Sequence, residues 1–193
     1  MSAAPRTLRV AGIAGSLRAG SFNRALLRAA RALAPAGLEI AVFDGLREIP
    51  PYDADVDAAG EPAPVAALRR AIREADALLV ATPEYNYGVP GVLKNAIDWA
   101  SRPAGRAALQ RKPAGILGAS TGASGTIRAQ LALRQSFNFT ETYAMLRPEI
   151  FIARAGEKFD AAGELTDEAT REFLSQFLTA FEAWARKFRE TAS

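Results

Sequence analysis

Four short runs, Leu8–Ala14, Leu38–Phe43, Ala77–Ala81 and Ala114–Ala119, are apolar along most of their length. Runs of this size bounded by turn residues read as strands covered on both faces. Between them lie stretches with helical spacing. One spans roughly Ser21 to Leu33, with Ala25, Leu26, Ala29, Ala30 and Leu33 on its inner face. Others cover Val65–Glu74, Val92 to Ala100, and the segment ending at about Phe137. A fifth strand falls within Thr142–Ile152, split around Pro148, since proline cannot donate to a ladder. A last helix, from about Asp167 to Arg189, aligns Phe173, Phe177, Phe181, Trp184 and Phe188 for packing on the sheet.

Alternating strands and helices predict a parallel sheet with helices on both faces. Five strands favour the order 2-1-3-4-5, a flavodoxin-like three-layer α/β sandwich, over a six-stranded dinucleotide fold. No repeat or linker interrupts the 193 residues, so a single domain over residues 1–193 is expected. That strand order sets the loops after strands one, three and four side by side at the carboxyl edge, where ligands of open α/β sheets bind. These are the three polar, glycine-bearing loops of the chain. Asp44–Pro64 reads as a long functional loop, Pro103–Lys112 as a surface segment and Ala155–Thr166 as a polar loop.

Composition closes several routes. The chain has no Cys and no His, which removes disulfides, thiolate nucleophiles, His-based triads and the usual zinc sites. Net charge is only +3, and clusters such as Arg24, Arg28 and Arg31 or Arg69, Arg70 and Arg73 suit solvated helix faces. Nucleic acid is therefore not an expected partner. No apolar run reaches membrane length and no cleavable leader pattern is present, so a cytoplasmic protein without a membrane partner is expected.

The first loop, Gly15-Ser-Leu-Arg-Ala-Gly-Ser-Phe-Asn23, ends at a helix start, where free backbone N–H groups and the helix dipole favour an anion. Ser16, Ser21 and Asn23 add short donors, and Arg18 adds a charge that can pair with phosphate. A plain Ser21 cap with Arg18 in solvent explains the same residues. Gly15-x4-Gly20-Ser21 has Walker A spacing but lacks the lysine, and no Gly-x-Gly-x-x-Gly is present here. In the middle loop, Tyr85 and Tyr87 can flank a flat ring system, with Asn86 as donor and acceptor. The alternative is that both tyrosines fill the sheet edge. The third loop, Ser120–Gly125, is small enough for a planar ligand to approach the backbone, or it is one more capped helix start.

The segments Gly15-Ser-Leu-Arg-x-Gly-Ser-Phe-Asn23, Pro83-Glu-Tyr-Asn-Tyr-Gly-x-Pro-Gly-x-Leu-Lys-Asn-Ala-Ile-Asp98, Arg128-Ala-Gln130 and Leu133-Arg-Gln135 together resemble the NAD(P)H-dependent FMN reductase family. That family includes bacterial quinone, chromate and azo-dye reductases, and the likeness covers about residues 7 to 152. It implies a flavodoxin-like fold, non-covalent FMN, NADPH or NADH as donor, and a homodimer or homotetramer with the flavin near a subunit interface. On the family pattern, Ser16, Arg18, Ser21 and Asn23 hold the FMN phosphate, with Phe22 nearby. Pro83, Glu84, Tyr85, Asn86 and Tyr87 border the isoalloxazine ring. Ser120, Thr121 and Gly122 complete the pocket in the third loop, which Gly125 also shapes. Two departures stand out. Relatives carry Gly-Gly where this chain has Gly125-Thr126, and an aromatic and a His where Leu131 and Ala132 stand.

The resemblance implies hydride transfer from NAD(P)H through FMN to a small-molecule acceptor, such as a quinone, azo compound, chromate or free flavin, in a ping-pong cycle. In such chemistry the cofactor carries the reaction and the protein orients it, so no catalytic residue is expected. Competing readings are a flavodoxin-type electron carrier and an FMN-binding regulatory module without turnover.

Overall fold

The computed structural model describes residues 6–190. Its sheet is parallel throughout, with β1 (Leu8–Ala14) between β2 (Leu38–Phe43) and β3 (Ala77–Ala81), and β4 (Pro113–Ala119) beyond β3. The fifth position is shared by two short strands. β5 (Tyr143–Ala144) pairs with the start of β4, and β6 (Ile150–Ile152) with its end. Pro148 lies between them, so the expected split is present. The sheet has the predicted order, with its outer strand in two pieces.

Period-two alternation sorts the strand residues into two cores. Leu79 and Leu117 face α1 (Phe22–Ala32) and α6 (Glu168–Glu190), packing with Leu26, Leu27, Phe177 and Phe181. Leu78, Val80 and Ile116 face the opposite layer. There they meet Leu68 and Ile72 of α3 (Ala63–Glu74), Trp99 of α4 (Gly91–Ala100) and Phe137 of α5 (Ile127–Phe139). In the α6 stripe, Phe177 and Phe181 are buried, while Phe173 remains 39% exposed. Among the described residues no helix is long and apolar enough to cross a membrane.

The segment Asp44–Pro64 is not a free loop. It forms a 3-10 turn (Gly45–Glu48) and α2 (Ala54–Ala59), both fastened to the scaffold. Arg69, buried on α3, donates to Asp57 at 3.0 Å, to Glu61 at 2.8 Å and to the Trp99 carbonyl at 3.0 Å. The Pro50 carbonyl accepts from Asn95 Nδ2 and Trp99 Nε1, both at 2.8 Å. Arg69 is buried while its carboxylate partners stay partly exposed, and these contacts fasten the connection to α3 and α4. Ala155–Thr166 is likewise packed. Phe159 and Leu165 pair as a bridge and are buried, and the Phe159 ring lies 5.4 Å from that of Phe22. Pro103–Lys112 lies at the surface except around Ala108 and Leu109, which are buried.

Candidate functional site

The first loop leaves β1 at Ala14. Gly15 is followed by buried Ser16, whose Oγ lies 3.4 Å from the Tyr85 hydroxyl. Ser21 caps α1, its Oγ accepting from the Asn23 and Arg24 amides at 3.2 and 3.4 Å. The exposed Arg18 has its guanidinium 5.8 Å from the Phe22 ring centre and has no ion-pair partner among the described residues. An unpaired cation beside a helix start attracts anions. Arg47 donates to the Leu17 carbonyl at 2.9 Å and so ties the packed β2–α3 connection to this loop.

Asn23 lines the cavity between these loops and also links two of its walls. Its Nδ2 donates to the Ala119 carbonyl and its Oδ1 accepts from the Ala119 amide, each at 2.9 Å. Both polar atoms of the buried amide therefore join the first loop to the end of β4. The residue fixes the distance between two walls of the site.

In the middle loop, Tyr85 and Gly88 exchange two backbone hydrogen bonds, 3.2 and 3.0 Å, around Asn86 and Tyr87. Both central residues have positive φ, 50° and 65°, the conformation of a type I′ turn. Asparagine accepts it readily, but a tyrosine there is strained. Both phenol rings are exposed, Tyr85 by 51% and Tyr87 by 71%. Arg128 stacks over the Tyr87 ring at 4.1 Å. Glu84, by contrast, points its carboxylate at α5, accepting from the Arg128 and Ala129 amides at 2.9 and 3.1 Å and from Arg128 Nη1 at 3.2 Å. It caps that helix from a distance and favours its dipole.

In the third loop, Ser120 Oγ accepts from the Gly122 amide at 3.1 Å. The Ser120 and Gly122 carbonyls are taken by the Ala155 and Arg154 amides at 2.9 and 3.1 Å. This clamp comes from the segment after β6, and sequence reading missed it. Its visible trace is Arg154 in the left-handed region, at φ 49°. Gly125 also has positive φ, 60°, and a Cβ there would meet the Phe151 carbonyl carbon at 3.0 Å. Thr126 is buried against Gly118, and its hydroxyl accepts from Gln130 Nε2 at 3.0 Å. The departure from the family's Gly-Gly thus has its own hydrogen-bonded partner.

One cavity of about 170 Å3 joins these loops. Ser16, Arg18, Ser21, Phe22, Asn23, Pro83, Glu84, Tyr85, Ser120 and Thr121 all line it. Asn86, Tyr87, Gly122 and Gly125 stand outside its lining: the first two form the turn tip, and the last two set the third loop's path. The cavity brings the Arg18 guanidinium, the Ser16 and Ser21 hydroxyls and the Tyr85 ring together.

Fold and site together define a flavodoxin-type α/β protein with a ligand site at the carboxyl edge of its sheet. The model of the family "NADPH-dependent FMN reductase" matches residues 8–157. An NAD(P)H-dependent FMN reductase of Pseudomonas aeruginosa is 50% identical over 94% of this chain and 97% of its own. A 2-hydroxy-1,4-benzoquinone reductase of Burkholderia sp. is 41% identical over 94% and 98%. Among solved structures, the flavoenzyme NAD(P)H:(acceptor) oxidoreductase FerB of Paracoccus denitrificans superposes with a TM-score of 0.86 at 39% identity, covering 94% of this chain and 98% of that one. The chain belongs to the NADPH-dependent FMN reductase family, and is an FMN-dependent, NAD(P)H-oxidising enzyme.

Proposed function

We propose that this enzyme reduces quinones with electrons from NAD(P)H, with FMN seated in the cavity between the three loops. The observation that carries this reading is the joining of a free guanidinium, a capped helix start and an exposed tyrosine turn around one cavity. The residues fit the cofactor. Arg18, Ser16, Ser21 and the α1 start hold its phosphate, Asn23 fixes the spacing of the walls, and Tyr85 with Tyr87 borders its ring. Bound there, FMN supplies two-electron chemistry, taking hydride from NAD(P)H and passing electrons to the acceptor. The chain contributes orientation and backbone N–H groups of the middle loop that favour negative charge on a neighbouring ring. Without His or Cys, and with Glu84 committed to α5, the proton that accompanies quinone reduction would come from solvent at this open face.

Donor and acceptor use the same open face in turn, a ping-pong order. Azo compounds, chromate and free flavin are further acceptors for so open a face. The relatives' printed activities, FMN and quinone reduction, support the reading. A single-chain cavity of about 170 Å3 is small beside the roughly 300–1,000 Å3 of most ligand pockets. Exposed Ile127 and Leu131 lie on α5 near the tyrosine turn, so we assign the missing wall to a second copy, in a homodimer or homotetramer of cytoplasmic location. Initial rates with NADPH and 1,4-benzoquinone test the cycle. Parallel double-reciprocal lines are expected, and intersecting lines would refute alternating use of the face.

A further inference from the structure

A second cavity, about 470 Å3, opens on the outer side of β6. Its floor is Ile150, Phe151 and Ile152, and Phe173 stands at its rim. That phenyl is the one member of the α6 stripe left well exposed among the residues flanking the core. Arg154 and Glu157 also line it, and neither has an ion-pair partner among the described residues. The cavity adjoins the flavin site: Ala123 of the third loop lines it, while Ser120 and Thr121 of the same loop line the other. The Arg154 backbone is bonded to Gly122 of that loop.

A cavity with an aromatic rim and a mixed apolar and polar lining takes a flat base with polar edges. A free guanidinium takes a phosphate, and a free carboxylate takes a ribose diol; these two groups are the general means of telling NADP from NAD. Lys158 adds no net charge here, because it is paired with Asp167 at 3.0 Å. We propose that this cavity holds the adenosine half of NAD(P)H, with Phe173 against the base and Arg154 and Glu157 setting the choice between the two donors. The inference rests on the reading of the protein as an NAD(P)H oxidoreductase.

The probe is adenosine 2′,5′-bisphosphate, which lacks the nicotinamide, titrated calorimetrically into the FMN-loaded protein. Arg154→Gly removes the guanidinium while keeping the left-handed backbone that clamps the third loop; flavin occupancy and melting temperature check that the clamp survives. We expect Arg154→Gly to weaken the bisphosphate about tenfold, the loss of one charge-assisted hydrogen bond. Phe173→Ala should weaken it as well, and Glu157→Gln should tighten it. In steady state, the NADPH-to-NADH ratio of kcat/KM should fall about tenfold in Arg154→Gly. Bisphosphate binding that is absent in the wild type, or identical in wild type, Arg154→Gly and Phe173→Ala, would overturn the proposal. If the wild type oxidises NADPH but the variants bind the probe unchanged, only the cavity assignment falls. Arg154-dependent probe binding without NADPH oxidation would refute the reductase reading and leave the adenosine site standing.

Discussion

Tyr87 holds a backbone conformation that ordinarily selects glycine. A left-handed backbone costs a non-glycine residue about 1–2 kcal/mol, and folding alone would place Gly at φ 65°. Tyr87→Gly relieves that strain while losing an exposed cation–π contact of about 0.5–1 kcal/mol and adding unfolded-state entropy of similar size. The expected outcome is a melting temperature nearly unchanged with weaker FMN binding. A large loss of stability with intact flavin affinity would show that the ring serves the fold. Arg18 is the complementary case. It is exposed and without an ion-pair partner among the described residues, so Arg18→Ala should leave stability within about 0.5 kcal/mol. FMN affinity should drop by roughly ten- to a hundredfold, as for a lost bond to a charged group. Equilibrium dialysis against FMN reads the difference directly, and unchanged affinity would remove Arg18 from the site.

At the scale of elements, helix starts are held by carboxylates, one from a distant loop and one from the residue just before the helix. Glu84 from the middle loop holds α5, so a residue bordering the site also sets the helix beside it. Asp167 holds the start of α6, accepting from the Thr170 amide and hydroxyl and from Lys158. The Thr170 hydroxyl, then Lys158, then the Thr170 amide favour the carboxylate and lower its pKa from 3.8 to about 2. A group depressed on folding stabilises the native state above its unfolded pKa and loses that contribution as pH falls through the folded one. The hold on α6 is therefore complete above about pH 4 and lost toward pH 2. Melting temperatures across that window should fall more steeply for the wild type than for Asp167→Asn. Parallel curves would show that the contacts give the carboxylate no preference for its charged form.

Over the whole molecule, what could be read from the sequence was what local pattern encodes. The apolar runs located the strands, Pro148 marked the break between β5 and β6, and the strand order brought three polar loops together. What the sequence hid depends on partners far along the chain. Arg69 looked like one more basic residue on a helix face, yet it is buried between Asp57, Glu61 and Trp99. Asn23 was legible only as a phosphate candidate, and its bridge to Ala119, 96 residues away, was not. The Arg154–Ala155 clamp has no local signature, because a left-handed arginine is invisible until its backbone is placed. Each miss is a fastening, and the fastenings keep the three loops in register.

Reduction by NAD(P)H is expected of an FMN held by these loops. Its most direct test is an anaerobic titration of the FMN-loaded protein with NADPH, followed by visible absorption. Stoichiometric bleaching of the flavin band, reversed by adding benzoquinone, is the predicted result. A bound flavin that stays oxidised with both NADPH and NADH would contradict the account and point to an electron carrier of the flavodoxin kind.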